Sequence, residues 1–394
     1  MWIINPANPL QLSIFAVMHL IQLPDFLQLT IFICFCAIIA IQLFYYLYFF
    51  NRLVQYRAPE KKESQEYPVS VIICAKNEAE NLVKNLPGIL VQDYKTTHEI
   101  MIVNDNSTDE SKYILEEFQH SFKDLTIIAL KQEAKGIPGK KFPLSVGIKS
   151  SKHEIVLLTD ADCIPASEHW IKKMQEGYRN NIEIVLGYGA YKKYPGMLNK
   201  LIRFETFHTA LQYFSYALAG KPYMGVGRNL SYRKETFLRN KGFSTINHIP
   251  SGDDDLFINM IATKTNTAIV IDKDAHTLSE PHKSWHEWMQ QKNRHYTTAK
   301  YYKPSHKFSL SLYAFAHTVI YPLTVLAAIF FNWYIALGIF VLRLLVEAIV
   351  WNKTMKKLNE TDLFKWFLFF DIWIFLYNLF FFPSLWRKPS KRWD

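Results

Sequence analysis

An apolar run that stops abruptly at polar residues opens the central part of the chain, where residues 69–78 read VSVIICAKNE. Its first six residues are rich in β-branched side chains, which predicts a buried strand over 69–74. Helical patterns and apolar runs then alternate along the chain. In order, they predict a helix over 78–90, a strand over 98–103, a helix over 108–120, a strand over 125–130, a helix over 141–150 and a strand over 154–158. This alternation predicts an α/β domain whose mostly parallel sheet is covered on both faces. The following stretch is less regular, with strands predicted over 182–186 and 225–232 and helices over 198–218 and from Asp253 onward.

Polar side chains follow three of the predicted strands, at residues 76–78, 104–106 and 159–162. Because ligands of such sheets bind at the carboxyl ends of the strands, these residues are candidates for a binding site. Asp160 and Asp162 lie two residues apart on an extended chain, so both carboxylates point the same way. Paired carboxylates suit Mg²⁺ or Mn²⁺, although an isolated pair is also typical of a solvated loop or a helix cap.

A second acidic cluster, Asp253, Asp254 and Asp255, lies in the sequence GDDDL at 252–256. Two interpretations remain open for it. Carboxylates stabilise the N-terminus of a helix through the helix dipole. Crowded carboxylates also raise one another's pKa, which suits a general base.

Residues 285–295 read WHEWMQQKNRH, and their tryptophans recur at helical spacing. This pattern predicts an amphipathic helix at a membrane interface. Gln291 and Arg294 share one face of that helix, and an arginine there can bind a phosphate through two hydrogen bonds.

The composition excludes several classes of protein. The chain has 394 residues, 49% of them hydrophobic and 20% charged, with a formal net charge of +10. That is too long and too apolar for a disulfide-stapled miniprotein or a disordered chain. The four cysteines have no metal-type spacing. No base-reading motif accompanies the basic residues, so nucleic acid is not expected as a partner.

Apolar segments at both ends of the chain predict an integral membrane protein. Transmembrane segments are predicted over 29–50, 310–331 and 334–351, each long enough to cross about 30 Å of hydrocarbon. Residues 1–28 contain no Lys or Arg, whereas Arg52 and Arg57 follow the first segment. The positive-inside rule therefore places residues 1–28 outside or in the interface, and the linker 51–66 and the domain in the cytoplasm, at the cytoplasmic membrane.

A fourth apolar segment, 363–383, conflicts with that rule. If it crosses the membrane, the basic tail 384–394 lies outside, so the segment is either transmembrane or re-entrant. Charged residues also occur inside the apolar segments. We expect Arg343 to pair with Glu347 or Asp371 and to hold the spans together, because charges at that depth are costly unless paired.

Taken in order, six motifs resemble the signature series of the family 2 glycosyltransferases: VSVIICAKNE (69–78), VNDNSTD (103–109), GKK (139–141), TDAD (159–162), GDDDL (252–256) and QKNRH (291–295). The resemblance covers about residues 66–300, and the flanking spans resemble the membrane-bound branch of the family, such as ceramide glucosyltransferases and polysaccharide synthases. It implies a GT-A domain over 67–283, an interfacial helix over 284–303, and inverting, metal-dependent transfer from a nucleotide sugar, most often a UDP-sugar.

The resemblance also implies roles for individual residues. Glu78 and Asp105 would hold the uridine, with Lys140 and Asp160 beside the nucleotide. Asp162 would bind the divalent cation, Mn²⁺ or Mg²⁺, that bridges the diphosphate. The acidic cluster would supply the catalytic base, and Gln291, Arg294 and His295 would lie over the diphosphate and the acceptor.

Two motifs depart from the family pattern. The family usually has Glu-Asp where this chain has three aspartates, so alignment gives either Asp253 or Asp254 as the base, and we favour Asp254. The last motif usually reads QxxRW, and His295 replaces its tryptophan. An aromatic platform for an acceptor sugar is therefore weakened or altered.

The expected function is transfer of a sugar to a lipid or a lipid-linked glycan, with the nucleotide sugar, the acceptor and membrane lipids as partners. A processive polysaccharide synthase of the same family is the alternative within this class. Outside it, the alternatives are a regulated membrane transporter and an inactive scaffold that binds nucleotide sugar.

Overall fold

The computed structural model describes residues 23–59, 66–131, 137, 139–179, 181–381 and 383, with the side chains of His295 and Tyr296 left out. The expectations for residues 1–22, for the end of the linker and for the basic tail lie outside this range.

The described chain begins with a long apolar helix. It comprises α1 (Asp25–Phe44), a π-helical turn (Tyr45–Phe50) and α2 (Asn51–Gln55). The turn consists of aromatic residues, and Phe49 stacks on Tyr216 of the domain at a ring distance of 4.5 Å. This contact joins the first helix to the α/β domain.

The domain is built on a seven-stranded sheet in the order β3-β2-β1-β4-β8-β6-β9. All its neighbouring strands are parallel except for β8, which is antiparallel to both β4 and β6. A smaller sheet has the order β5-β10-β7. The ten strands are β1 (Val69–Ala75), β2 (His98–Asn104), β3 (Leu125–Ala129), β4 (Ile155–Asp160), β5 (Cys163–Pro165), β6 (Ile184–Leu186), β7 (Gly189–Tyr191), β8 (Leu230–Arg233), β9 (Thr267–Ile269) and β10 (Thr277–Ser279).

Helices cover both faces of the large sheet, as its continuously apolar central strands require. The helices of the domain, in chain order, are α3 (Ala79–Leu90), α4 (Ser111–Ser121), α5 (Lys141–Ser150), α6 (Trp170–Gln175), α7 (Met197–Leu218), α8 (Lys234–Arg239), α9 (Asp255–Ile261) and α10 (Trp285–Tyr296). The predicted mostly parallel α/β domain is therefore confirmed. The prediction of one strand over 225–232 was wrong, because Gly227–Asn229 form a 3₁₀ turn and the strand begins only at Leu230.

In the described part of the chain, three helical segments are long and apolar enough to cross a membrane: Asp25–Gln55, Pro304–Lys357 and Thr361–Phe381. The second has 54 residues, which at 1.5 Å per residue is roughly 80 Å and far exceeds one membrane thickness. It folds back at Asn332, whose backbone is extended (φ −157°, ψ 115°). The two arms are α11 (Pro304–Ala327) and α12 (Trp333–Lys357), and His317 of the first contacts Arg343 of the second at 3.1 Å.

The third segment consists of a 3₁₀ turn (Thr361–Trp366) and α13 (Phe367–Phe381). Both of its ends contact the α/β domain. At its start, Arg203 of α7 donates to Asp362 at 2.6 and 2.8 Å and pairs with Glu360. At its end, Phe381 packs against Trp288 of α10 with the ring centroids 6.0 Å apart.

The charged residues inside the apolar segments form one buried cluster. Arg343 contacts both Glu347 and Asp371 at 2.7 Å, and the three side chains are 0%, 0% and 4% exposed. The expectation that Arg343 pairs with one of these carboxylates is confirmed, and it pairs with both. Since α12 carries Arg343 and α13 carries Asp371, the pair holds the two helices together.

Candidate active site

The loops after β1 and β2 are joined by side-chain hydrogen bonds at the edge of the sheet where ligands were expected. Asn77, with a left-handed backbone (φ 56°), accepts from the Thr108 amide at 2.8 Å. Asp109 accepts from the Ala79 and Ser111 amides at 3.0 and 3.1 Å. These bonds fix the position of Glu78, whose pKa is raised by burial and by the nearby Asp162 and Asp160.

Lys140 connects the two acidic clusters predicted from the sequence. It lies at the start of α5, with its ammonium 2.7 Å from Asp160 and 3.4 Å from Asp253. Burial alone would lower the pKa of Lys140, but these carboxylates raise it above its usual value. The lysine therefore stays charged and brings the end of β4 close to the start of α9.

Asp160 ends β4, and Asp162 and Cys163 follow it. One candidate ligand atom from each of the three lies within 4.8 Å of the others. Burial favours the protonated form of Asp160, but Lys140, Arg228 and Arg294 hold its pKa below the usual value. Burial and the neighbouring Asp160 raise the pKa of Asp162. Two carboxylates so close together fit a hard divalent cation. Cys163 is buried and hydrogen-bonded to Ser279 at 2.9 Å, so the oxygen pair is the better ligand set.

Arg228 is a site residue that the sequence analysis missed. Its guanidinium donates to the carbonyls of Gly189 and Ala190 at 2.8 and 3.3 Å and lies 4.3 Å from the ring centre of Tyr191. It lowers the pKa of Asp160, so it belongs to the same charged site. It carries no motif in the sequence; the only local signal is a basic residue between Gly227 and a short strand.

The three adjacent aspartates have three different environments. Asp253 faces Lys140. Asp255 accepts from Thr298 at 2.5 Å and from Tyr302 at 2.8 Å, so its role is to hold the segment after α10. Asp254 accepts from the amides of Gly227 and Asp255, both at 2.7 Å.

Burial and the charges of Asp253 and Asp255 raise the pKa of Asp254 to about 7. Asp254 also caps α9, as the first interpretation of this cluster predicts, and its raised pKa suits a general base. The loop before it is held by Lys141, a second residue that the sequence analysis left without a role, which donates to the carbonyls of Ile249 and Ser251 at 2.6 and 2.8 Å.

Helix α10 closes the site from the side of the membrane segments. Gln291 and Arg294 line the same cavity as the two acidic clusters, and Lys292 forms an ion pair with Glu205 of α7. Trp288 is 1% exposed and packs against α13, so in this structure protein covers it. The side chain of His295 lies outside the described residues.

One cavity of about 760 Å³ contains most of the predicted site residues. Those that line it are Glu78, Lys140, Asp160, Asp162, Asp253, Asp254, Gln291 and Arg294. Asp105 is buried at the end of β2, and its amide donates to Ala75 at 2.8 Å. Among the described residues, the cavity lining does not include Asp105. The cavity continues past the aspartates to residues of α7, α11 and α13, which no motif indicated.

The Glycosyl transferase family 2 model matches residues 70–237, which include the strand ends, the paired aspartates and Arg228. Residues 70–237 therefore form a family 2 glycosyltransferase domain. The family expected from the six motifs is thus confirmed. Asp253 to Asp255, α10 and the membrane helices lie beyond the matched residues.

Curated relatives share short segments with this chain. Glycosyltransferase AglE of Haloferax volcanii is 33% identical over 106 residues, 27% of this chain and 33% of that protein. A poly-β-1,6-N-acetyl-D-glucosamine synthase of Staphylococcus epidermidis is 31% identical over 117 residues, 29% and 26% of the two chains. A β-monoglucosyldiacylglycerol synthase of Nostoc sp. is 31% identical over 101 residues, 25% and 21% of the two chains. The matched segments therefore span a third or less of these relatives.

A solved structure extends the similarity to most of the chain. The mannosyltransferase PcManGT from Pyrobaculum calidifontis, solved with GDP-Man and Mn²⁺, superposes with a TM-score of 0.55 over 87% of this chain and 98% of that one. At 19% identity, this likeness supports a shared fold. The expected GT-A fold is confirmed.

Proposed function

We propose that this protein transfers a sugar from a nucleotide sugar to a hydroxyl group of a lipid or lipid-linked glycan in the membrane. The observation that carries the proposal is the cavity. It begins at Lys140, Asp160 and Asp162, passes Asp254, and ends against Tyr313 of α11 and Asn378 of α13. Donor and acceptor can therefore meet in one cavity.

The donor end of the cavity suits a nucleoside diphosphate. Lys140, Arg228 and Arg294 bring three cations to Asp160, the last residue of β4. Glu78, at the end of β1, lies on the same side and can accept from the base or ribose of the nucleotide. The cations stabilise the negative charge that builds on the diphosphate as it leaves.

Asp162, with Asp160 beside it, would hold the divalent cation. When bound, such a cation neutralises charge on the diphosphate and makes it a better leaving group. The solved structure of similar fold contained Mn²⁺, which agrees with Mn²⁺ or Mg²⁺ here.

Asp254 is the proposed general base. Its pKa of about 7 means that it is partly ionised at neutral pH and can accept the proton of an incoming hydroxyl. The hydroxyl oxygen attacks the anomeric carbon while the bond from that carbon to the diphosphate breaks. Displacement in a single step inverts the configuration at the anomeric carbon.

The membrane end of the cavity favours single transfer over polymer synthesis. Tyr313 is 3% exposed, and its hydroxyl lies 3.0 Å from His208 and 3.3 Å from Tyr46. Behind it lies the buried cluster of Arg343, Glu347 and Asp371. In the described part of the chain, no residue of α12 lines the cavity, so Tyr313 closes it on that side and leaves a growing polymer no path between α11 and α12.

The proposed topology places the domain in the cytoplasm and α13 as a re-entrant helix. Both ends of α13 contact the catalytic domain, through Arg203 at its start and Trp288 at its end. A re-entrant α13 leaves the basic tail on the same side as the domain, so the conflict with the positive-inside rule disappears.

The proposal is tested with purified protein in lipid nanodiscs, Mn²⁺ and a panel of nucleotide sugars, by measuring nucleoside diphosphate release with and without membrane-lipid extract. We expect release from one donor, dependent on the extract and abolished by chelator. Asp162→Asn and Asp254→Asn should each lose more than about 100-fold in rate. The control is Asp124→Asn, an exposed site before β3. Near-normal turnover by both site variants would overturn the assignment.

A further inference from the structure

The cavity has two halves of different chemistry. The donor half is formed by the two acidic clusters and their cations. We call the other part the membrane half, defined by His208, Thr209 and Gln212 of α7, Ser311 and Tyr313 of α11, and Asn378 of α13. No motif predicted this half, and it lies against two of the apolar segments.

Helix α7 presents a polar stripe to the membrane half. Glu205, His208, Thr209 and Gln212 follow the spacing i, i+3, i+4 and i+7, so they share one helix face. Each is only partly buried, whereas most neighbouring residues of the helix are fully buried. The stripe is therefore the side of α7 that remains accessible, and it offers hydroxyl, amide and imidazole groups.

The membrane half carries no cation among the described residues that line it. The lysines and arginines of the whole lining are Lys76, Lys140, Arg228, Lys292 and Arg294. Lys292, at the boundary between the halves, is paired with Glu205. His208 adds no charge at neutral pH, because burial, together with His317, lowers its pKa to about 3.

The membrane half reaches the surface of α11 that faces lipid. Ser311 lines the cavity and is also exposed. Phe308 and Phe315, at i−3 and i+4 from it, are 71% and 55% exposed, so they lie on the same outward face of an apolar helix. The cavity therefore opens beside apolar surface, where an acyl chain can remain in the bilayer while its headgroup enters.

We propose that the membrane half binds the uncharged, hydroxyl-bearing headgroup of a neutral lipid and rejects lipids whose acceptor end carries a phosphate. The inference rests on the proposed function and narrows its acceptor. A headgroup hydroxyl can exchange hydrogen bonds with Thr209, Gln212 and Asn378, which are neutral donors and acceptors. A phosphate there would be buried without a cation, at a large desolvation cost.

The reaction balances with this acceptor. The lipid hydroxyl loses its proton to the carboxylate of Asp254, and its oxygen forms the new bond to the anomeric carbon. The bond from that carbon to the diphosphate breaks, and the electron pair leaves with the nucleoside diphosphate. The products are a glycosylated neutral lipid and a nucleoside diphosphate, and no oxidant or further reactant is required.

The test uses the full chain in phosphatidylcholine nanodiscs with two diazirine-labelled probes of identical acyl chains, dioleoylglycerol and dioleoyl phosphatidic acid. Photo-crosslinking to peptides of α7, α11 and α13 measures binding without requiring turnover. We expect at least about tenfold more crosslinking from the neutral probe. Equal labelling, stronger labelling by the phosphate probe, or no labelling by either would overturn the inference.

A charge-insertion variant gives a second readout. Gln212→Lys places a cation in the membrane half and should raise crosslinking of the phosphate probe about tenfold. The control is Thr265→Lys in an exposed loop, which should change neither probe. If Gln212→Lys still crosslinks to the neutral probe but shows no increase in crosslinking to the phosphate probe, the electrostatic argument is contradicted.

Failure of the inference and failure of the proposed function are distinguishable. Sugar transfer to undecaprenyl phosphate but not to dioleoylglycerol would keep the function and overturn the inference. Selective crosslinking of the neutral probe, with no transfer from any nucleotide sugar, would keep the inference about binding and overturn the function.

Discussion

Asp253, Asp254 and Asp255 are adjacent in the chain, yet each carboxylate has its own partners. Lys140 neutralises Asp253, and the hydroxyls of Thr298 and Tyr302 bind Asp255. Asp254 accepts hydrogen bonds from two backbone amides, those of Gly227 and of the first residue of its own helix. The sequence could not distinguish the three residues, because the partners come from distant segments.

The environment of Asp254 predicts the pH dependence of transfer. A base with a pKa of about 7 is protonated below that pH and cannot accept a proton, so the rate should fall about tenfold per pH unit on the acid side. Above pH 7 the carboxylate is ionised and the rate should reach a plateau. The measurement is the transfer rate in nanodiscs at saturating donor, from pH 5 to pH 9. A rate that stays constant between pH 5 and pH 7 would contradict Asp254 as the base.

Lys140 offers a prediction about stability at the same scale. Lys140→Met leaves Asp160 and Asp253 without their shared cation, which should lower the free energy of unfolding by about 3 kcal/mol. Thermal unfolding in nanodiscs measures the change. Lys149→Met, at an exposed position of the same helix, is the matched control. Equal thermal unfolding midpoints for the two variants would mean that the ion pairs of Lys140 add little to the stability of the protein.

At the scale of elements, the sequence predicted the central strands and the helices between them. Strands β1, β2 and β4 are continuous apolar runs because both faces of the sheet are covered. Strands β5, β7 and β10 have only three residues each, too few to produce a pattern. The prediction of a strand over 225–232 was wrong at Gly227, because the Gly227 amide donates to Asp254 and not to a neighbouring strand.

The membrane hairpin carries an element-scale prediction. Arg343→Leu removes the cation that faces Glu347 and Asp371 at 2.7 Å, leaving two carboxylates buried in an apolar environment. We expect a loss of about 3–5 kcal/mol in stability. Thermal unfolding in nanodiscs tests this, with Lys353→Leu, exposed on the same helix, as the control. An unchanged midpoint for Arg343→Leu would show that the cluster does not hold α12 to α13.

At the scale of the whole molecule, the two halves of the site differ in how far sequence reasoning reached. The donor half follows strand ends and short motifs, which are local in the chain. The membrane half depends on contacts such as His208 with Tyr313, which lie 105 residues apart and form no motif. Only the packing of the domain on the membrane helices brings these groups together.

That packing predicts a selective defect. Arg203→Met breaks the contacts with Glu360 and Asp362 that fix the start of α13, which forms a wall of the membrane half. We expect the KM for the lipid acceptor to rise about tenfold, because truncating one partner of a buried charge pair is costly. The donor affinity, measured by nucleotide-sugar titration, should stay within about twofold. A parallel loss of donor affinity would instead indicate general unfolding of the domain.

The opening beside Ser311 also bears on how this protein is extracted. An alkyl maltoside has an uncharged, hydroxyl-rich head on a single hydrocarbon tail, the same combination that the membrane half is proposed to accept. Such a surfactant is then a competing ligand as well as a solvent. Kinetic constants measured in its micelles would vary with surfactant concentration. Membrane patches extracted with an amphipathic polymer would instead keep the native lipid in the membrane half of the cavity.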